Sequence, residues 1–379
     1  MNKERQRGKG KDRKRLLLSL LAGLLILAGL VVMAGCGESG GEESQEPETF
    51  EIAMITEPSG VEDGSFRETT WKSIQDFCEE FETTCQWYAE EEETTDSALK
   101  AVEQAREKGA KVIFFAGSLF ETTVYAAQQK YEDTYFVLLD GVARDDEHNY
   151  EMAANSTGVL FAEEQAGYLA GYAAVSDGYR SLGFLGGVEL PSVKRYEIGY
   201  IQGIAAAAKD KGLEDIQVKT AYTGSFDASE DAEKWAADRY ADGTEVIFAC
   251  GGSLGSSVMK AAEAAGGKVI GVDTDQSAMS ETVITSAKKG INTAVYDILK
   301  TYMHNNFKGN SIFNYTIDND GVSLEMANAR FETFSTSDYQ TLLNQIKSGE
   351  KTIAKETGDK SLNDLAGKLV KVEKVKFKK

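Results

Sequence analysis

Residues 246–276 read VIFACGGSLGSSVMKAAEAAGGKVIGVDTDQ, and this stretch decides the fold. An apolar run at 246–250 stops at Gly251 and Gly252. A helical pattern follows, with Val258, Ala261, Ala262 and Ala265 in register, closed by Gly266 and Gly267. A second run, 268–272, ends at Asp273 and Asp275. Strand, glycine turn, helix, strand and acidic tip make a βαβ crossover in a parallel sheet. In open sheets of this kind ligands lie outside the carboxyl ends of the strands, so these glycines and aspartates stand where a ligand is expected. Packing turns and helix caps use the same residue types, and the stretch alone leaves both readings open.

The same grammar extends in both directions. Upstream, short apolar runs at 51–55, 85–89, 112–116 and 135–139 alternate with helical patterns. One helix carries Trp71, Ile74, Phe77, Cys78 and Phe81 on a single face; the next carries Ala98, Ala101, Val102 and Ala105, with Gly109 as its C-cap. A second series of similar size begins after Asn155 and runs through helices near 163–175, 194–209 and 229–241 with strands near 181–185 and 216–222. Two successive α/β series predict a two-lobed fold, each lobe a parallel sheet flanked by helices, with a cleft between them. The expected boundaries are 50–155 for lobe 1, with about 282–312 returning to it, and 156–281 for lobe 2, with about 315–365 adding to it. Residues 366–379, rich in lysine, read as a solvated basic tail.

The totals fit such a body. The chain has 379 residues, 42% of them hydrophobic, enough for more than one core, and three prolines against 37 glycines suit many strand-to-helix turns. Its formal charge of −20 is unevenly spread: the first 35 residues hold eight Lys or Arg and two acids, leaving −26 on the rest. Repulsion disfavours nucleic acid and anionic lipid as partners of that body.

A basic head at 1–15, an apolar run at 16–33 and small residues before Cys36 make an export signal, although about 18 apolar residues also suffice for a spanning helix. Met33-Ala-Gly-Cys36 resembles the lipobox of bacterial lipoproteins, in which cleavage leaves an acylated N-terminal cysteine. Residues 36–49 then read as a flexible tether.

Several strand ends share a habit: Gly117 with Ser118, Asp140 with Gly141, Gly186 with Gly187, Gly251 with Gly252, and Asp273 with Asp275. Glycine admits close approach to the backbone, and a carboxylate accepts two hydrogen bonds from a vicinal diol. Phe66 and Phe226 stand in loops just past strands, placed either to sandwich a flat base or to plug the lobe cores. Enzyme chemistry finds little material. His148 and His304 are the only histidines, and no G-x-x-x-x-G-K-[ST] occurs. Asp140 and Asp273 are the strongest acid–base candidates, if the cleft closes on a glycosidic bond. Cys78 and Cys85 can bridge only if the chain turns between them, since a continuing helix would separate them by about 10.5 Å. Cys250 reads as a small buried apolar residue.

From about Phe50 to Ala329 the chain resembles the basic membrane protein family of substrate-binding lipoproteins, which includes bacterial purine-nucleoside receptors. The resemblance rests on Ile52-Ala-Met-Ile-Thr with Asp63-Gly-Ser-Phe, on NSTGVLFAEEQAGYLAGY at 155–172 and on LGFLGGVELPSVKRYEIGYIQG at 182–203. It continues through Gly224-Ser-Phe-Asp, the opening stretch, Thr285-Ser-Ala-Lys-Lys and Ala294-Val-Tyr-Asp. It implies a type I periplasmic-binding fold and a lipid-anchored receptor that delivers a nucleoside to an ABC permease and its ATPase, with no cofactor. It further implies that Phe66 and Phe226 stack on the base, that Asp140 and Asp273 or Asp275 hold the ribose, and that Gly252 and Lys288 line the cleft. Arg67 stands where the family has Asn, and a donors-only side chain there bears on base preference. The rival readings are a receptor for a sugar or signalling furanone, a sensor component, and a nucleoside hydrolase.

Overall fold

Every residue of β1 (Ile52–Thr56), β3 (Val112–Ala116) and β8 (Val246–Cys250) is buried. Apolar side chains on both faces mark strands covered by helices on both sides, as parallel sheets require. The structure is a computed structural model and describes residues 49–378. The signal segment 1–35, Cys36 and the tether up to residue 48 lie outside the described residues.

The remaining strands are β2 (Cys85–Ala89), β4 (Tyr135–Leu139), β5 (Ser156–Phe161), β6 (Ser181–Gly186), β7 (Ile216–Tyr222), β9 (Lys268–Asp273), β10 (Val283–Lys289), β11 (Ser311–Tyr315), β12 (Val322–Leu324) and β13 (Val370–Lys374). They form two sheets, ordered β11-β5-β4-β3-β1-β2 and β12-β10-β9-β8-β6-β7-β13. Neighbours are parallel throughout except β12, which runs antiparallel to β10. The opening stretch supplies β8, a helix at Leu254–Ala265, and β9, which pair in parallel as its grammar requires.

Three expected boundaries move. β5 pairs with β4, so the first lobe extends through Phe161 rather than ending at 155. β10 pairs with β9 in the second sheet, so the chain returns to lobe 1 only with the helix Ile291–Met303, which packs on the helix Phe66–Glu80. Within the expected basic tail, β13 pairs in parallel with β7. Periodicity identifies a strand but not the sheet it joins, because pairing depends on partners distant in sequence. The chain therefore crosses between lobes near Ala162, Gly290 and Thr316.

Two of the segments that carried the family resemblance form the packed helix pair Glu163–Asp177 and Pro191–Lys211. A Cβ added at Gly167 would meet the Tyr196 carbonyl, and one at Gly199 would meet the Glu164 carbonyl. These glycines bring the two helix backbones together and so fix the base of lobe 2. The helix Phe66–Glu80 ends before Cys85 opens β2, and the thiols of Cys78 and Cys85 are both free.

Candidate functional site

The carboxyl ends of both sheets converge on one cleft of about 600 Å³, open solvent included. Lobe 1 contributes Glu57 after β1, Phe66 and Arg67 at a helix start, Gly117 and Ser118 after β3, and Asp140 after β4. Lobe 2 contributes Tyr196, Phe226 after β7, Gly251 and Gly252 after β8, Asp273 at the end of β9, and Lys289 at the end of β10. Asp140 and Asp273 share a left-handed backbone, with φ of 62° and 63°. Non-glycine residues adopt it infrequently, and such strain concentrates at functional sites.

Lys289 organises the deep end. Its ammonium, on a side chain only 3% exposed, pairs with Asp140, lies 3.3 Å from Glu163 Oε1 and 3.6 Å from Asp273 Oδ1. The same ammonium lies 4.8 Å from the centre of the Phe66 ring. Burial opposes its charge, but Asp140, Glu163 and Asp273 outweigh burial and hold its pKa above the ordinary lysine value. Burial pushes Asp140 up to about 7 against the pull of Lys289, and raises Asp273 as well. Asp273 also accepts from Ser65 Oγ at 2.8 Å and from the Tyr196 hydroxyl at 3.3 Å. Among the described residues, Asp140 Oδ1 and Ser118 Oγ are buried with no hydrogen-bond partner, although both belong to cleft residues. Such groups normally find partners, and a bound hydroxyl would supply one.

A second buried group in the cleft is built on Arg67, whose side chain is 6% exposed. Its Nη1 donates to Glu57 Oε2 and to Ser59 Oγ, both at 2.6 Å, and its Nε donates to Asp63 Oδ2 at 3.2 Å. Burial raises the Glu57 pKa, with Arg67 opposing.

Of the expected site residues, Phe66, Arg67, Ser118, Asp140, Phe226, Gly252 and Asp273 line the cleft. Asp275 and Lys288 do not. Asp275 accepts from Ser277 N at 2.9 Å and Asn328 Nδ2 at 2.8 Å, and those bonds hold its pKa down against partial burial. Lys288 pairs with Glu325 at 2.6 Å. Successive strand residues face opposite sides, so Lys289 takes the place expected of Lys288. Two strand-end glycines also serve a purpose other than ligand approach. A Cβ at Gly251 would come within 2.9 Å of the Phe226 ring, and one at Gly187 would strike the same ring, so both glycines seat a side chain of the protein. At Gly117, with φ of 119°, a Cβ would meet nothing within 4 Å. Glu57, Asp63, Tyr196 and Lys289 escaped the sequence reading. The double lysine Lys288-Lys289 was the one available signal, and the expectation took the wrong member of it, Lys288.

Among the described residues, no group of acids, Cys or His is placed to hold a metal ion, and no helix is long and apolar enough to cross a membrane.

The chain is 29% identical over 305 residues to a protein of Lactococcus lactis subsp. cremoris described as ABC transporter nucleoside-binding protein BmpA, covering 75% of this chain and 83% of that one. It is 27% identical over 316 residues to basic membrane protein A of Borreliella burgdorferi, covering 82% and 88%. Among solved structures, an ABC transporter solute-binding protein from Aeropyrum pernix K1 superposes with a TM-score of 0.70 at 20% identity, covering 81% of this chain and 94% of that one. That likeness identifies the fold as the two-lobed type I periplasmic-binding architecture. The sequence profile described as "ABC transporter substrate-binding protein PnrA-like" matches residues 50–359. The chain therefore belongs to this family of substrate-binding proteins, whose members capture solutes for ABC transporters and are not enzymes.

Proposed function

We propose that the cleft binds a nucleoside, with the ribose at the deep end and the base between Phe66 and Phe226. The observation that carries this reading is the pairing of Asp140 and Asp273, one from each lobe, on either side of Lys289, with Asp140 Oδ1 left without a partner. Two carboxylates from opposite walls suit the two hydroxyls of a vicinal diol, and a diol held by both closes the lobes. The charge balance supports a neutral ligand: four carboxylates (Glu57, Asp63, Asp140, Asp273) face two cations (Arg67, Lys289) among the lining residues. A phosphate there would meet net repulsion, which favours nucleosides over nucleotides. The nucleoside binding ascribed to the Lactococcus relative agrees with this chemistry.

In the cell, the chain is held to the outer face of the membrane by a lipid on Cys36, and its closed, loaded form is read by a permease whose ATPase drives import. Isothermal titration of the chain from Glu48 onward, which forms one compact unit, against nucleosides, free bases, ribose and nucleotides tests the ligand. Nucleosides giving one-to-one binding support the reading; heat from sugars alone, or from none of these, defeats it. Release of free base on incubation with inosine would point instead to a hydrolase. Metabolic labelling with a radioactive fatty acid, lost in Cys36→Ala, tests the anchor.

A further inference from the structure

The N-terminal ends of the lobe 1 strands lie at the far end of that sheet from the cleft, and the described chain enters there: Phe50 N donates to the Lys108 carbonyl at 2.7 Å before Ile52 opens β1. A group of rings stands at this entry. The Tyr302 hydroxyl donates to Glu51 Oε1 at 2.8 Å, and the Tyr302 ring centre lies 5.8 Å from that of Tyr135, the first residue of β4. The Phe307 ring centre is 4.5 Å from Tyr135 as well. Tyr135 is 36% exposed although the rest of β4 is buried, and Met303, which ends the helix that carries Tyr302, is 43% exposed.

Scattered apolar side chains on a surface need no explanation, but three rings in contact beside an exposed methionine form a face. Tyrosine, apolar in its ring and polar at its tip, is enriched where hydrocarbon meets water. Charge permits such a contact here. The body carries −26 and repels an anionic surface, yet Lys108 and Lys111 bond through their backbones to Phe50, Glu51 and Tyr135, and Lys308 follows Phe307, so cations as well as Glu51 and Asp133 accompany the rings. What the face meets follows from the chain before it. Twelve residues separate Cys36 from Thr49, and even fully extended they span no more than about 45 Å. With Cys36 in the bilayer, that reach holds the face at a concentration on the order of millimolar against the lipid, at which a contact too weak to form from solution is made.

We propose that this face of lobe 1, formed by Tyr135, Tyr302, Met303 and Phe307, rests on the lipid surface with its rings among the headgroups. The strands of lobe 1 run from this face to the cleft, so the contact turns the cleft away from the bilayer and toward arriving solute. Delivery to a permease then requires the body to lift and turn within the reach of residues 37–48. This inference rests on the lipid anchor at Cys36 and is independent of which ligand the cleft binds.

The test uses the mature, acylated chain from Cys36 in phosphatidylcholine vesicles whose acyl chains carry bromine, which quenches tryptophan on contact. Met303→Trp and Tyr135→Trp place a probe in the face, and either serves should the other fail to fold. Leu119→Trp, at a position as exposed as Met303 but lining the cleft, is the control. Each is read against the unaltered chain, which has Trp71, Trp87 and Trp235. The expected result is quenching of the added emission at 303 and 135 and none at 119. Flotation with the vesicles reads the anchor separately. A chain that floats with all three probes unquenched, or with 119 quenched as strongly as 303, overturns the inference and leaves the anchor standing. So does sedimentation of the chain from Glu48 onward as a dimer that Met303→Glu breaks, which would assign the face to a second copy. A chain that does not float overturns both.

Discussion

Ser65 Oγ donates a 2.8 Å hydrogen bond to Asp273 Oδ2, joining the loop before the first helix of lobe 1 to the end of a central strand of lobe 2. Close by, Gln276 Nε2 donates to the Gly64 carbonyl at 2.9 Å. Asp273 thus belongs both to the lobe-to-lobe clasp and to the group around Lys289. A ligand that engages Asp273 acts on the clasp directly. Ser65→Ala should weaken ligand binding and should also lower the stability of the free protein by about 1 kcal/mol, the loss of one hydrogen bond. Titration calorimetry and a thermal melt check both parts.

The two adjacent lysines make a paired prediction. Lys289→Met leaves Asp140, Glu163 and Asp273 facing one another in a buried site, and breaking a buried ion pair from one side costs about 3 to 5 kcal/mol. Lys288→Met removes a partly exposed pair with Glu325 and should cost about 1 kcal/mol or less. Chemical denaturation of both variants distinguishes them.

Binding should depend on pH through Asp140. Its pKa is raised by burial to about 7, with Lys289 opposing and Glu163 and Asp273 adding to the rise. Between the ordinary aspartate pKa of about 3.9 and this value, the folded protein keeps a proton that the unfolded chain has released, so Asp140 lowers stability as pH rises through that window. Ligand hydroxyls need the ionised acceptor. Affinity should therefore fall by up to about tenfold per pH unit on going below about pH 7 and level off above it. Titrations from about pH 5.5 to about pH 8 check this, and Asp140→Asn should flatten the profile.

Gly199→Ala should destabilise lobe 2 by about 3 kcal/mol or more, because the added methyl meets the Glu164 backbone, which cannot turn aside as a side chain can. Gly212→Ala is a useful contrast: its Cβ would meet nothing within 4 Å, so its cost comes from the left-handed backbone alone, φ 64°, at about 1 kcal/mol. Thermal melts of the two variants check the difference.

Local pattern carried much of this architecture. The run-and-glycine alternation around β8 and β9 fixed both the element type and the strand-end position of Asp273, because strand ends in parallel sheets are marked locally by glycine and acid. Lobe membership was less legible: β5, β10 and β13 look like any apolar run, and only their distant partners assign them to a sheet. In the cleft, residues next to strand-end punctuation, such as Ser118, Asp140 and Phe226, were readable. Tyr196 lies inside a helix with no local mark, and Glu57 reads as one acid among many until Arg67 is seen to hold it. Lys288 and Lys289 show the limit, since a one-residue difference in strand phase sends one to the cleft and the other to Glu325.

The central claim, that carboxylates from opposite lobes grip the two ribose hydroxyls, is tested most directly by comparing inosine with 2′,3′-dideoxyinosine in titration calorimetry. Removing both hydroxyls should weaken binding by about a hundredfold or more, since two charge-assisted hydrogen bonds are lost and the buried Asp140 Oδ1 is left without a partner. Equal affinity for the two would contradict the account.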